Sequence, residues 1–172
     1  MNNLESVITY LKDNLDSIEL FYNDFFTKKY TEKTLCFSFP PISKEIKKID
    51  TILDTSNDAL WQCIFAKNNE NKINYIPENL LPKVQPFLLE VNFNFLKPKT
   101  NLPEHSDNYD RTIIHILLND LDGDSYISLE KKPLFLRKKF DIVSFNYNKL
   151  HGAVNESNTT RKTIAFLFNR VL

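Results

Sequence analysis

Residues 105–120 read HSDNYDRTIIHILLND, and residues 138–168 read KKFDIVSFNYNKLHGAVNESNTTRKTIAFLF. The chain has three histidines, His105, His115 and His151, and all three fall in these stretches, on or beside segments with the alternation of β-strands. In extended backbone, residues two apart share a face, so His105 and Asp107 are expected to aim donor atoms at one point, with His151 as a third ligand. On the segment that starts at Arg111, Ile113, His115 and Leu117 share a face. If that face points inward, His115 looks into a cavity beside the metal; a histidine satisfied within the core is the other reading.

From Phe87 onward the pattern is β throughout, with strands expected near 87–96, 111–118, 125–130, 134–136, 140–146 and 161–169. So many late strands after a helical lead-in predict a mainly β protein: a double-stranded β-helix, or cupin-like jelly roll, with N-terminal helices on one outer face. Its site would lie in the barrel mouth. The segment 118–126, LNDLDGDSY, resembles part of a calcium loop. With Gly123 in sixth place, the first and twelfth positions are Leu118 and Leu129, which offer no oxygen, so a D-G hairpin turn is expected instead. Lys131, Lys132, Arg137, Lys138 and Lys139 read as solvated edge charges.

Upstream, apolar residues from Leu4 to Phe26 recur at the spacing of amphipathic helix, which predicts one or two helices bracing the barrel. TLCFSFPPI, 34–42, reads as a short strand ended by prolines. Lys44–Asp54 is expected to be a short helix, ALWQCIFA at 59–66 a core strand, and Tyr75–Gln85 a short helix between proline turns. Trp61 is either a core residue or part of a substrate pocket.

The 172 residues suit one domain, with 1–86 as support and 87–172 as catalytic core. Lys plus Arg and Asp plus Glu both number 22, so no general pull toward nucleic acid or anionic membrane is expected. Function must then reside in a site. A hydrophobic content of 42% with 14 Phe supports a packed core, and two glycines are too few for a glycine-rich phosphate loop. Cys36 and Cys63 stand apart and read as buried thiols. With no secretory pattern and no long apolar run, a soluble cytoplasmic protein is expected.

Two imidazoles and a carboxylate leave open positions on an octahedral metal, as in non-heme Fe(II) oxygenases that hold a co-substrate and dioxygen together. Arg161 follows His151 by ten residues and opens the apolar strand Thr163–Phe168. A guanidinium there would take a carboxylate through two parallel hydrogen bonds, and Thr163, on the same face, would add a hydroxyl.

From Phe87 to Leu172 the chain resembles the 2-oxoglutarate- and Fe(II)-dependent dioxygenases, within them the aspartyl/asparaginyl β-hydroxylase branch that includes bacterial hydroxylases of free amino acids. The likeness is carried by FLLEVNFNFLKPKTNLPEHSDN at 87–108, by His115 within IIHILL, and by HGAVNESNTTR at 151–161. It implies His105, Asp107 and His151 as Fe(II) ligands, 2-oxoglutarate held by Arg161 with help from His115 or Thr163, and O2 as oxidant. The implied substrate is an amino acid, either free or within a peptide or carrier-tethered intermediate. The chain departs from the branch at Ile113, where an arginine is usual; Arg111, on the same face, is the candidate replacement. Asp107 argues against the related halogenases, which carry a small residue there. A cupin-type metal enzyme of other chemistry and a non-catalytic jelly-roll binding protein are the alternatives.

Overall fold

The computed structural model describes residues 3–29, 32–40, 42–49, 59–107 and 109–169. Two helices lead: α1 (Leu4–Lys12) and α2 (Leu15–Lys28). Asn3 caps α1, its side chain accepting from the Ser6 N–H at 2.8 Å, which satisfies one of the first-turn donors that a helix leaves open. Twelve strands follow: β1 (Lys33–Phe39), β2 (Ser43–Lys48), β3 (Trp61–Asn68), β4 (Ile73–Asn74), β5 (Leu88–Leu96), β6 (Thr100–His105), β7 (Arg111–Leu117), β8 (Ser125–Leu129), β9 (Lys132–Phe135), β10 (Ile142–Asn146), β11 (His151–Asn155) and β12 (Arg161–Asn169).

These strands form two antiparallel sheets. The larger runs β10-β7-β12-β5-β3-β1-β2, with β4 on β3, and the smaller runs β6-β11-β8-β9. From β5 to β12 the chain alternates between the sheets until β8 pairs with β9, so each strand of the last four lies beside one of the first four. That is the jelly-roll topology, with both sheets curling round a common interior.

Strand parity sorts the core. On the larger sheet Val91, Phe93, Ile114, Ile116, Ile164, Phe166 and Phe168 face outward and meet Val7, Leu11, Ile18, Phe21 and Phe25 of the helices. Phe93 is the hub, with the Phe21, Tyr22, Phe25 and Phe26 rings 4.9–5.8 Å away. Its fully buried ring contributes about 1.5–3 kcal/mol in transfer free energy alone. The alternate residues Ile113, Leu117, Val143, Phe145, Ala165 and Leu167 face the smaller sheet's Ile127 across the interior. His115 and Arg161 share that inner face, which settles the inward reading of β7.

Three expectations are corrected, and two strands are added. The first part of Lys44–Asp54 is the strand β2, not helix: Lys44, Glu45, Lys47 and Lys48 give it a charged edge that, among the described residues, pairs only with β1, while 50–54 lie outside the described residues. Tyr75–Gln85 holds turns, with only a 3-10 turn at Gln85–Phe87, because Pro77, Pro82 and Pro86 interrupt any helical ladder. LNDLDGDSY is not a hairpin but a crossing between sheets, since β7 and β8 do not pair. Its acids bind protein: Asp122 accepts from Asn158 N at 2.8 Å and Asp124 pairs with Arg137 at 2.7 Å. Finally, β6 and β11 are strands that alternation did not reveal, and they carry two of the three metal-ligand candidates.

Gly152 lets β6 and β11 approach. A Cβ there would sit 2.8 Å from the Leu102 carbonyl oxygen, at the irregularity between His151 and Ala153, so only glycine keeps the two histidine-bearing strands this close. At the other end of β11, Asn155 is fully buried. Its amide donates to the carbonyls of Leu96, Lys97 and Thr159 at 2.9–3.0 Å, and its oxygen accepts from Ser157. This network shapes the turn that delivers Arg161. Asn155→Ala removes the amide that the Leu96 and Lys97 carbonyls share, while the Thr159 carbonyl still accepts from Ser157 Oγ, and is expected to lower the unfolding free energy by about 2–4 kcal/mol in urea titrations.

Candidate metal centre and adjoining anion site

His105 ends β6 and His151 begins β11, and the two are paired in register, so their rings stand side by side with centroids 4.6 Å apart. Asp107 lies just past β6, its backbone carbonyl accepting from Tyr109 N at 2.7 Å. His105 Nε2 lies 3.7 Å and His151 Nε2 3.4 Å from Asp107 Oδ2, and the three donor atoms fall within 4.8 Å of one another.

The tautomers follow from the neighbours. His105 Nδ1 meets the Pro103 carbonyl at 3.1 Å and His151 Nδ1 the Lys149 carbonyl at 2.7 Å. A carbonyl only accepts, so each Nδ1 carries the hydrogen and each Nε2 presents a lone pair to the shared point. Burial, opposed by the Lys149 contact, holds the His151 pKa below its ordinary value and keeps the ring neutral. Asp107 Oδ2 is sealed from solvent and, among the described residues, is the one such side-chain atom without a hydrogen-bond partner. A buried orphan acceptor is costly, and a divalent cation is the partner that fits an oxygen facing two lone-pair nitrogens. This donor set suits a hard-to-borderline metal such as Fe(II). Tyr147 stacks on His151 at 5.2 Å, and burial together with the Asp107 charge raises its pKa, so the phenol remains a proton donor.

Deeper in the barrel, Arg161 is 3% exposed. Its Nη1 donates to Ser125 Oγ and the Tyr126 carbonyl, both at 3.2 Å, and among the described residues no carboxylate pairs with it. Burial lowers its pKa to about 10, so it is a cation at neutral pH. Thr163, beside it on the same face, has its hydroxyl 3.4 Å from His115 Nδ1. Ser125 and Tyr126 lie opposite Asn155 and Val154, while His151 starts the same strand. The triad and Arg161 are therefore three to four residues apart along β11, roughly 10–13 Å. His115 lies within electrostatic reach of both Arg161 and His151.

Burial, reinforced by Arg161, lowers the His115 pKa to about 3. The unfolded chain, with an ordinary histidine near 6.5, then binds more protons between pH 3 and 6.5, and stability falls as pH drops through that window. For the metal-free protein, His115→Gln is expected to remove about 2 kcal/mol of the stability lost between pH 7 and pH 5, measured by urea unfolding at each pH.

The other two candidates stand outside the triad and the group around Arg161. Arg111, at the start of β7, is a rim residue held over the Tyr109 ring at 4.6 Å, while Ile113 is buried in the apolar interior. Trp61 is half-buried in the apolar cluster of Leu35, Cys63 and Phe65, in register through Leu96 with Arg161 two strands away. Both cysteines are free and buried, and burial raises their pKa values, which leaves them unreactive thiols. Residue spacing did not single out Asn155, Tyr147 or the polar inner face of β5.

No protein-family model matches the chain, and no curated protein matches it. Among solved structures it is similar to the plu4264 protein of Photorhabdus luminescens, at 14% identity and a TM-score of 0.40 over 47% of this chain and 62% of that one. It is similar to a cupin domain of an XRE family transcriptional regulator from Enterobacter cloacae, at 14% identity and 0.40 over 46% and 79%. A protein described as a predicted oxalate decarboxylase from Thermotoga maritima gives 13% identity and 0.43 over 63% and 81%. The jelly-roll assignment rests on the strand order itself.

Proposed function

We propose that the protein is an Fe(II)- and 2-oxoglutarate-dependent dioxygenase that hydroxylates an unactivated C–H bond of an amino acid, free, peptidyl or carrier-tethered. The observation that carries this reading is Arg161, a buried guanidinium without a carboxylate partner among the described residues, on the inner face that the triad opens onto. A cation in that position asks for an anionic ligand, because an uncompensated buried charge is strongly unfavourable.

His105, Asp107 and His151 would hold the metal. Bound Fe(II) would supply dioxygen activation coupled to decarboxylation of 2-oxoglutarate to succinate and CO2, with one oxygen atom passing to the substrate C–H bond. The chain's own residues bind and shield. Arg161 and Thr163 take the far carboxylate, and neutral His115 adds a hydrogen bond without opposing charge. The interior of Ile113, Leu117, Val143 and Phe145 keeps water away. The two carbonyl-bound Nδ1 atoms fix both imidazoles with their lone pairs turned to the metal.

A cupin-type metal enzyme of other chemistry, or a non-catalytic jelly-roll binding protein, would use the same scaffold, but neither needs the lone buried guanidinium. The discriminating experiment incubates purified protein with Fe(II), ascorbate and 2-oxoglutarate across free amino acids and short peptides. Substrate-dependent succinate, with a product heavier by one oxygen atom, is expected. Absence of both metal and 2-oxoglutarate binding would return the protein to the alternatives.

A further inference from the structure

The inner face of β5 is polar where a jelly-roll interior is ordinarily apolar. Val91 and Phe93 point to the helices, so Glu90, Asn92 and Asn94 point into the barrel, where both asparagines are only 7% exposed. Asn94 Nδ2 donates to Asn92 Oδ1 at 2.7 Å. One hydrogen bond between two amides leaves a donor on one and an acceptor on the other. Among the described residues only Asp107 Oδ2 is both sealed and unpaired, so these remaining amide atoms, on the inner face of β5, are not sealed.

Register places the strip. Asn94 lies between Thr163 and Cys63, Asn92 between Ala165 and Phe65, and Glu90 between Leu167 and Asn68. It therefore runs from the anion end at Thr163 to the rim. There Glu90 accepts from Asn68 Nδ2 at 3.1 Å, and Arg111 stands 4.0 Å from Glu90 and 3.9 Å from Glu70. Those separations are too long for hydrogen bonds, so both charged groups keep capacity for a ligand. Arg111 opens β7, the strand that follows β6 and Asp107, so this pair lies at the triad's end of the barrel.

We propose that Glu90, Asn92, Asn94 and Arg111 form the primary-substrate subsite, and that the substrate is a free α-amino acid, its ammonium on Glu90 and its carboxylate on Arg111. This rests on the oxygenase reading above and assigns its second ligand. A purely anionic ligand would meet Glu90, Glu70 and Asp107; a purely cationic one would meet Arg111. A zwitterion matches both, and a residue inside a peptide lacks both charges. Phe65 and Cys63, flanking the asparagines, supply an apolar wall for the side chain.

The test is calorimetry under nitrogen on the full chain loaded with Mn(II) and 2-oxoglutarate. The titrants are the standard free amino acids and, for each that binds, its N-acetyl and α-amide forms. At least one free amino acid should bind, with either blocked form at least about tenfold weaker. Glu90→Gln and Arg111→Gln should each weaken it by a similar factor while 2-oxoglutarate binding stays unchanged. Binding of 2-oxoglutarate with no amino acid bound, equal affinity for blocked forms, or unaltered affinity in both variants would overturn the subsite. Amino-acid binding that depends on Glu90, with no 2-oxoglutarate bound, would uphold the subsite and overturn the oxygenase reading.

Discussion

Asp107→Ala is expected to lower Mn(II) or Fe(II) affinity by at least about 100-fold and to abolish turnover with it. The same change should leave the metal-free protein more stable, not less. Asp107 Oδ2 is buried without a hydrogen-bond partner and faces two nitrogen lone pairs, a destabilising arrangement unless a cation sits among them. Removing an unsatisfied buried oxygen relieves about 1–3 kcal/mol. Thermal melts with EDTA and with Mn(II) separate the two effects: wild type rises with metal, and the variant starts higher and does not respond. A purely structural aspartate would give the opposite result, a lower melt with EDTA and an unchanged metal response.

Arg161→Met should weaken 2-oxoglutarate binding by about 2–5 kcal/mol, roughly 30-fold to several thousandfold, with metal affinity nearly unchanged. Methionine fills much of the volume and removes the charge, so the loss reports on the anion contact and not on a cavity. Arg161→Lys keeps the charge but not the planar fork, and should recover only part of the affinity. The donors to Ser125 and Tyr126 hold the guanidinium near the far end of the interior from His151, so the metal ligands are untouched by either change. Equal loss of metal and 2-oxoglutarate would contradict this division of roles.

Much of the barrel was legible because β7, β10 and β12 are strand-length segments rich in β-branched and aromatic residues, but only the packing of their even-numbered residues on the helices decides that the odd-numbered ones face the interior. The strands that hold His105 and His151 were not. In β6, Pro103 breaks the strand signature, and it is tolerated because β6 is an edge strand that, among the described residues, pairs only with β11. β11 is five residues with a glycine whose meaning, close approach to Leu102, exists only once β6 is beside it. Lys44–Lys48 carries charges that read equally as helix surface or edge strand, and the pairing with β1 decides it.

The candidate site divides the same way. His105 and Asp107 share a point because of local geometry, which two-residue spacing conveys. His151, His115 and Arg161 join them only through the alternation of strands between the sheets. Asn92 and Asn94 looked like ordinary strand polar residues. Their significance lies in which face Val91 and Phe93 occupy, and helix packing determines that.

The most direct test of the oxygenase reading is calorimetric titration of 2-oxoglutarate into the wild-type protein under nitrogen, with Mn(II) and with EDTA. One site per chain, tight with Mn(II) and weakened by its removal and by Arg161→Met, is the expected result. A metal-loaded protein that takes up no 2-oxoglutarate would contradict the account and leave a jelly-roll metal protein of different chemistry.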